Sequence, residues 1–153
     1  VAALFFDTSG IVKRYVVETG TAWVNALIDP TAGHTLRLAR ITGAEVVAAV
    51  ARRRRGGSLT TAAAALALAE FQRDYSTQFL LTDVTAALIT SAMSLAERYA
   101  LRGYDAVQPA AAMQTFGESL LAGVPFTLVS ADAELNAAAV AEGLAVEDPN
   151  AHP

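Results

Sequence analysis

The sequence contains no cysteine, which excludes disulfide-stapled scaffolds, thiol nucleophiles and cysteine-ligated structural zinc together. Histidine is nearly absent: His34 and His152 are the two in the chain, and neither lies near another candidate ligand in sequence. Zinc hydrolases and histidine-based triads are therefore poor fits. Lys13 is the single lysine, and no basic residue follows Arg102. No apolar run approaches the ~20 residues that cross a bilayer; the longest runs only from Ala62 to Ala69. The opening Val1-Ala2-Ala3-Leu4-Phe5-Phe6 lacks the basic flank of a secretory signal. The expectation is a soluble, cytoplasmic protein with no membrane association. A start at Val1 instead of Met points to a trimmed or altered N-terminus.

What remains is an apolar chain of 153 residues, 54% hydrophobic and 17% charged, with mean hydropathy +0.38. Such a composition fits one compact domain with a real core and not a disordered or charged arm. We place that domain at residues 1–148, with 149–153 as a C-terminal tail. The net charge of −4 hides a division. All eleven basic residues fall between Lys13 and Arg102 against eight acids up to that point; from Gly103 onward there are seven acids and no base. A protein that binds a polyanion while holding metal-binding carboxylates looks like this, and so does an acidic solubilising surface.

Five short apolar segments read as strands: Ala3 to Phe6, Thr35 to Leu38, Phe79 to Leu81, Phe126 to Val129 and Leu144 to Val146. Helical spacing occupies Ser9–Val17, Thr21–Ile28, Thr42–Arg54, Thr60–Gln78, Thr85–Ala100, Asp105–Phe116 and Ala133–Glu142. Strands alternating with helices imply an α/β fold around a mainly parallel sheet. Gly56-Gly57 splits two successive helices into a hairpin that no strand interrupts, expected to project or to lie along one sheet edge.

In open parallel sheets ligands bind at the carboxyl ends of the strands, so acids there carry most weight. Asp7 ends the first strand and Asp132 follows the fourth. Glu45 lies in an otherwise apolar helical stretch, and Asp105 opens a helix after Arg102-Gly103-Tyr104. Asp7, Asp105 and Asp132 are equally readable as acids at helix N-termini, and Glu45 as solvent-facing. Four crowded carboxylates would repel one another unless a cation sat among them. Oxygen-only ligands point to a hard ion, Mg2+ or Mn2+.

With their surroundings, these residues resemble PIN-domain ribonucleases, specifically the VapC-type toxins of bacterial toxin–antitoxin pairs. The resemblance rests on Phe6-Asp7-Thr8-Ser9-Gly10-Ile11-Val12-Lys13-Arg14-Tyr15, on Glu45, on Arg102-Gly103-Tyr104-Asp105-Ala106, and on Ser130-Ala131-Asp132-Ala133-Glu134-Leu135 with Glu142-Gly143-Leu144. It implies a PIN-like fold with a five-stranded sheet. It also implies a catalytic and metal-binding pocket of Asp7, Glu45, Asp105 and Asp132, and Mg2+-dependent cleavage of single-stranded RNA. A cognate antitoxin and a homodimer are implied with it. Ser130 and Thr8 are expected to support Asp7 by hydrogen bonding, or else to be a strand-end hydroxyl and a helix cap. Pro109, four residues after Asp105, departs from the family and is expected to kink the turn that carries Asp105.

Arg52-Arg53-Arg54-Arg55 is the one dense basic run. It reads either as cations at a helix C-terminus or as a contact for RNA phosphates or an acidic antitoxin segment. Trp23, Tyr15, Tyr99 and Tyr104 are candidates for stacking a base, though most aromatics in so apolar a chain belong to the core. His34 is read as a loop residue. The competing function is a non-catalytic PIN-like domain that binds RNA or regulates. A phosphotransfer domain fits poorly, because Ser9 stands where the phosphatase pattern needs a second Asp and the only lysine is Lys13.

Overall fold

Strand β1 (Ala3–Phe6) is buried along its whole length. A strand covered on both faces and lined with apolar side chains is the signature of a parallel sheet with helices on each side. β1 pairs in parallel with β2 (Thr35–Ala39), Ala3 opposite Thr35 and Phe6 opposite Leu38. On its other side it pairs with β4 (Phe126–Val129), Ala3 opposite Phe126 and Phe6 opposite Val129. β3 (Leu80–Thr82) joins β2, and β5 (Val146–Glu147) joins β4. The sheet has five strands in the order β3-β2-β1-β4-β5, all parallel. The computed structural model describes residues 1–153.

Because side chains alternate along a strand, β1 feeds two cores. Ala3 and Phe5 face α5 (Ala86–Tyr99), α6 (Gly103–Leu121) and α7 (Ala133–Ala141), packing with Leu88, Leu95, Ala111 and Leu135. Leu4 and Phe6 face α1 (Thr8–Ile11), α2 (Thr21–Ile28), α3 (Thr42–Arg55) and α4 (Thr61–Thr77), packing with Ile11, Val24, Val46, Val50 and Phe71. The α3–α4 hairpin does not project: α4 packs along α3 and buries Ala64, Ala67 and Phe71 in the shared core.

Three elements depart most from their expected bounds. The first helix stops early: α1 gives way to a 3-10 turn over Val12–Arg14. There the Thr21 hydroxyl donates to the Lys13 carbonyl at 2.8 Å, taking an acceptor that a longer helix would have used. β5 starts at Val146 because Leu144 belongs to the end of α7. Its N–H bonds the Ala139 carbonyl at 3.0 Å and the Gly143 N–H bonds Val140 at 2.9 Å, with Gly143 at φ +88°. That is a Schellman closure, in which glycine takes the left-handed position. Finally, α6 runs without interruption through Pro109 to Leu121, well past Phe116.

The last residues are docked. Pro149–Ala151 form a 3-10 turn, and Asn150 Oδ1 accepts from the buried Lys13 ammonium at 2.9 Å. The His152 ring stacks on Trp23, with centroids 4.1 Å apart and planes 3° from parallel. His34 Nδ1 accepts from the Ala2 N–H at 3.2 Å, which ties the loop before β2 to the start of β1. No helix is long and apolar enough to cross a membrane.

Candidate active site

Asp7 follows β1 directly and its backbone N–H still bonds Val129 at the end of β4. The carboxylate caps α1: Oδ1 accepts from the Gly10 N–H at 2.8 Å. The Ser9 hydroxyl lies 2.8 Å from each Asp7 oxygen and accepts from the Ala131 N–H at 2.8 Å. A Cβ on Gly10 would stand 2.4 Å from the Val129 carbonyl oxygen, so only glycine lets α1 approach β4 this closely. Burial pushes the Asp7 pKa up to about 6, while Ser9, the Gly10 N–H and Ser130 pull it down.

Glu45 sits in the first turn of α3. Its Oε1 accepts from the Thr8 hydroxyl at 3.0 Å and from Gln108 Nε2 at 2.7 Å. The same Gln108 amide lies 3.0 Å from Thr42 Oγ1. Thr8 therefore supports Glu45 and not Asp7, because it enters α1 on the side facing α3. Ser9 bonds both oxygens of Asp7. Ser130 contributes as well, lowering the Asp7 pKa, and its hydroxyl lies 3.5 Å from that of Ser9 and accepts from the Asp132 N–H at 3.2 Å.

Asp105 occupies the first turn of α6, and Asp132 caps α7 by accepting from the Glu134 and Leu135 N–H groups at 3.0 and 3.1 Å. The Asp105 pKa is raised, first by burial and then by the negative charge of Asp132, with Glu134 adding to it and Arg102 opposing. Both Asp7 and Asp132 are thus helix caps, and Asp132 is in addition close enough to Asp105 for its charge to be felt there.

The four acids are distributed in three places at the carboxyl end of the sheet: Asp7 beneath Ser9, Glu45 with Thr8 and Gln108, and Asp105 with Asp132 and Glu134. No three Asp, Glu or His side chains are close enough to hold one ion together. The side chains thus do not close on one common point: Ser9 and the Gly10 N–H hold Asp7, and Thr8 and Gln108 hold Glu45. The donor chemistry still suits a hard cation, since Mg2+ commonly takes one or two carboxylates and keeps several waters. Asp132 and Glu134 both add negative charge near Asp105, so added positive charge would bring relief there.

Ser9, Gln108 and Glu134 were not singled out by sequence reasoning. Gln108 carried a signal: it is the polar interruption of Ala106-Val107-Gln108-Pro109-Ala110-Ala111-Ala112.

The arginine run divides. Arg53 pairs with Glu18, which also takes the Lys13 ammonium at 3.2 Å. Arg52, Arg54 and Arg55, all exposed, line a cleft of about 500 Å³ with Ala51 and Thr61. Of the candidate stacking aromatics, Tyr15 donates to Asp74, Tyr99 donates to Glu142 and Trp23 is covered by His152. Tyr104, beside Asp105, is 70% exposed.

No family model and no curated protein sequence matches the chain. Solved structures do. PAE2754 from Pyrobaculum aerophilum is 20% identical with a TM-score of 0.66, over 98% of this chain and 91% of that one. FitAcB from Neisseria gonorrhoeae is 20% identical with a TM-score of 0.62, over 95% of this chain and 97% of that one. VapBC2 from Rickettsia felis, bound to a DNA fragment from its promoter, is 14% identical with a TM-score of 0.62, over 95% and 98%. The likeness spans nearly the whole length of each chain, and the α/β PIN-like architecture is the shared fold.

Proposed function

We propose that the protein is a metal-dependent endoribonuclease that cleaves single-stranded RNA, and that it is the VapC-type toxin of a toxin–antitoxin pair. The observation that supports this reading is the pair Asp105 and Asp132, close enough for the charge of one to raise the pKa of the other, with Asp7 directly after β1, on a fold shared with VapBC2 and FitAcB. A binding module gains nothing from acids where phosphates must approach, which disfavours the non-catalytic alternative.

Asp105 and Asp132 would hold Mg2+ or Mn2+, with Asp7 and Glu45 as the further carboxylates of the site. Such an ion supplies an activated water and neutralises charge on the phosphoryl oxygens. The chain's own part is positional. Ser9 and the Gly10 N–H hold Asp7 in one orientation, and Thr8 and Gln108 hold Glu45. Ser130 holds the backbone of Asp132. Arg52, Arg54 and Arg55 offer charge to an RNA backbone or to an acidic antitoxin segment.

A second copy of the chain is the proposed occupant of an apolar patch on α5 and α6, where Ile89, Met93 and Tyr104 are exposed around a groove of about 330 Å³. Contiguous exposed apolar area marks interaction sites, contacts between proteins among them. Titrating Mg2+ and Mn2+ while following cleavage of an unstructured RNA tests the assignment. Cleavage that rises with metal supports it, and intact RNA at every metal concentration refutes it.

A further inference from the structure

Gln108 is buried, 3% exposed, among alanines and valine on α6. Its Nε2 lies 2.7 Å from Glu45 Oε1, 3.0 Å from Thr42 Oγ1 and 3.3 Å from Thr8 Oγ1. Its carbonyl oxygen is buried with no partner at all. Turning the amide over would press that oxygen against the Glu45 carboxylate, so the charge of Glu45 fixes the orientation. The side chain thus leaves an acceptor unsatisfied to keep its donors on Glu45. Core packing alone does not explain this, because an apolar residue of similar size would bury nothing unmet.

The two donors on Glu45 converge on one atom. Thr8 and Gln108 both reach Oε1, and no protein donor reaches Oε2. A glutamate left to itself turns freely about its side-chain bonds. Here one oxygen is tied to the protein and the other is left available. The tie also crosses the sheet: α3 packs on one face, α6 on the other, and Gln108 stands three residues after Asp105.

Building on the nuclease reading above, we infer that Gln108 is a positioning residue for Glu45, holding Oε2 free for a cation and locking Glu45 to the helix that carries Asp105. The test is a double-mutant cycle of Gln108→Leu and Glu45→Gln. Its readouts are Mn2+ affinity by calorimetry, single-turnover cleavage at saturating RNA, and Tm. Loss of such a supporting partner typically costs roughly ten- to a hundredfold in metal affinity or activity, and Gln108→Leu is expected to lose that much in both. Its Tm should hold or rise. Added to Glu45→Gln, the Leu substitution should cost nothing further, since it acts only through the carboxylate. Gln108→Met, which keeps the length of the side chain, gives the same comparison if the Leu variant does not fold. Wild-type metal affinity and cleavage in the Gln108 variants, alongside a loss in Glu45→Gln, overturns the inference and leaves the nuclease reading intact. Losses that multiply independently also overturn it. No loss in Glu45→Gln removes Glu45 from the site, and the inference falls with it.

Discussion

The hydroxyl of Ser9 stands 2.8 Å from both carboxylate oxygens of Asp7 and takes the Ala131 N–H at the same distance. One side chain therefore fixes the buried acid after β1 and ties it to the segment after β4. Ser9→Ala removes a hydrogen bond to a charged group and leaves the Ala131 N–H without its partner. We expect a loss of about 1–3 kcal/mol in urea unfolding. Because Ser9 lowers the Asp7 pKa, the acid limb of the cleavage profile should move to higher pH in the variant.

Asp7→Asn separates stability from function. Asp7 has a folded pKa of about 6 against 3.8 for the ordinary group, so the folded state holds the proton more tightly. Between those values stability falls as pH rises; above about 6 the full cost of burying the charge is present. That cost is on the order of 3 kcal/mol. Asp7→Asn should therefore melt at or above the wild-type Tm at pH 7, with the difference shrinking toward zero by about pH 4. Cleavage should be abolished. A variant that unfolds at neutral pH would make Asp7 a structural cap.

The arginines should separate by position. Arg53→Gln breaks the pair with Glu18 and is expected to lower stability modestly without changing RNA affinity. Replacing Arg52, Arg54 and Arg55 with Gln should leave Tm within a few degrees while weakening RNA binding, with a shallower dependence on salt. Chemistry at saturating RNA should barely change, because steering acts on encounter. Filter binding at two salt concentrations checks this, and equal affinities at low salt would return the three residues to plain solvent exposure.

Met93→Glu places a charge in the apolar groove of α5 and α6, where Met93 is 66% exposed. Light scattering should show dimers for the wild type and monomers for the variant, with Tm little changed. A wild type that stays monomeric at high concentration would contradict the assignment of a second copy to this face.

Much of the architecture is legible in the sequence because burial imposes patterns. Ala3-Leu4-Phe5-Phe6 is apolar throughout because β1 is covered on both faces, and Gly56-Gly57 marks the hairpin turn. The early end of α1 was not legible, since it depends on a hydroxyl eight residues away. Nor was the displacement of β5, which follows from Leu144 bonding back to Ala139. Within the site, the positions of Asp7 and Asp132 at strand ends follow from strand placement. Their supports do not: Thr8 and Ser9 are adjacent hydroxyls, and only the geometry of α1 sends one to Glu45 and the other to Asp7. The contact between Glu45 and Gln108 spans 63 residues and joins helices on opposite sheet faces.

Single-turnover cleavage of an unstructured RNA by wild type and by Asp105→Asn, at increasing Mn2+, is the most direct measurement. Asp105 lies near the negative charges of Asp132 and Glu134, and its substitution removes negative charge without touching a cap. The account predicts metal-dependent cleavage by the wild type and its loss in Asp105→Asn, with Tm unchanged or raised. Cleavage undiminished in the variant, or no cleavage by the wild type at any Mn2+ concentration, would contradict it.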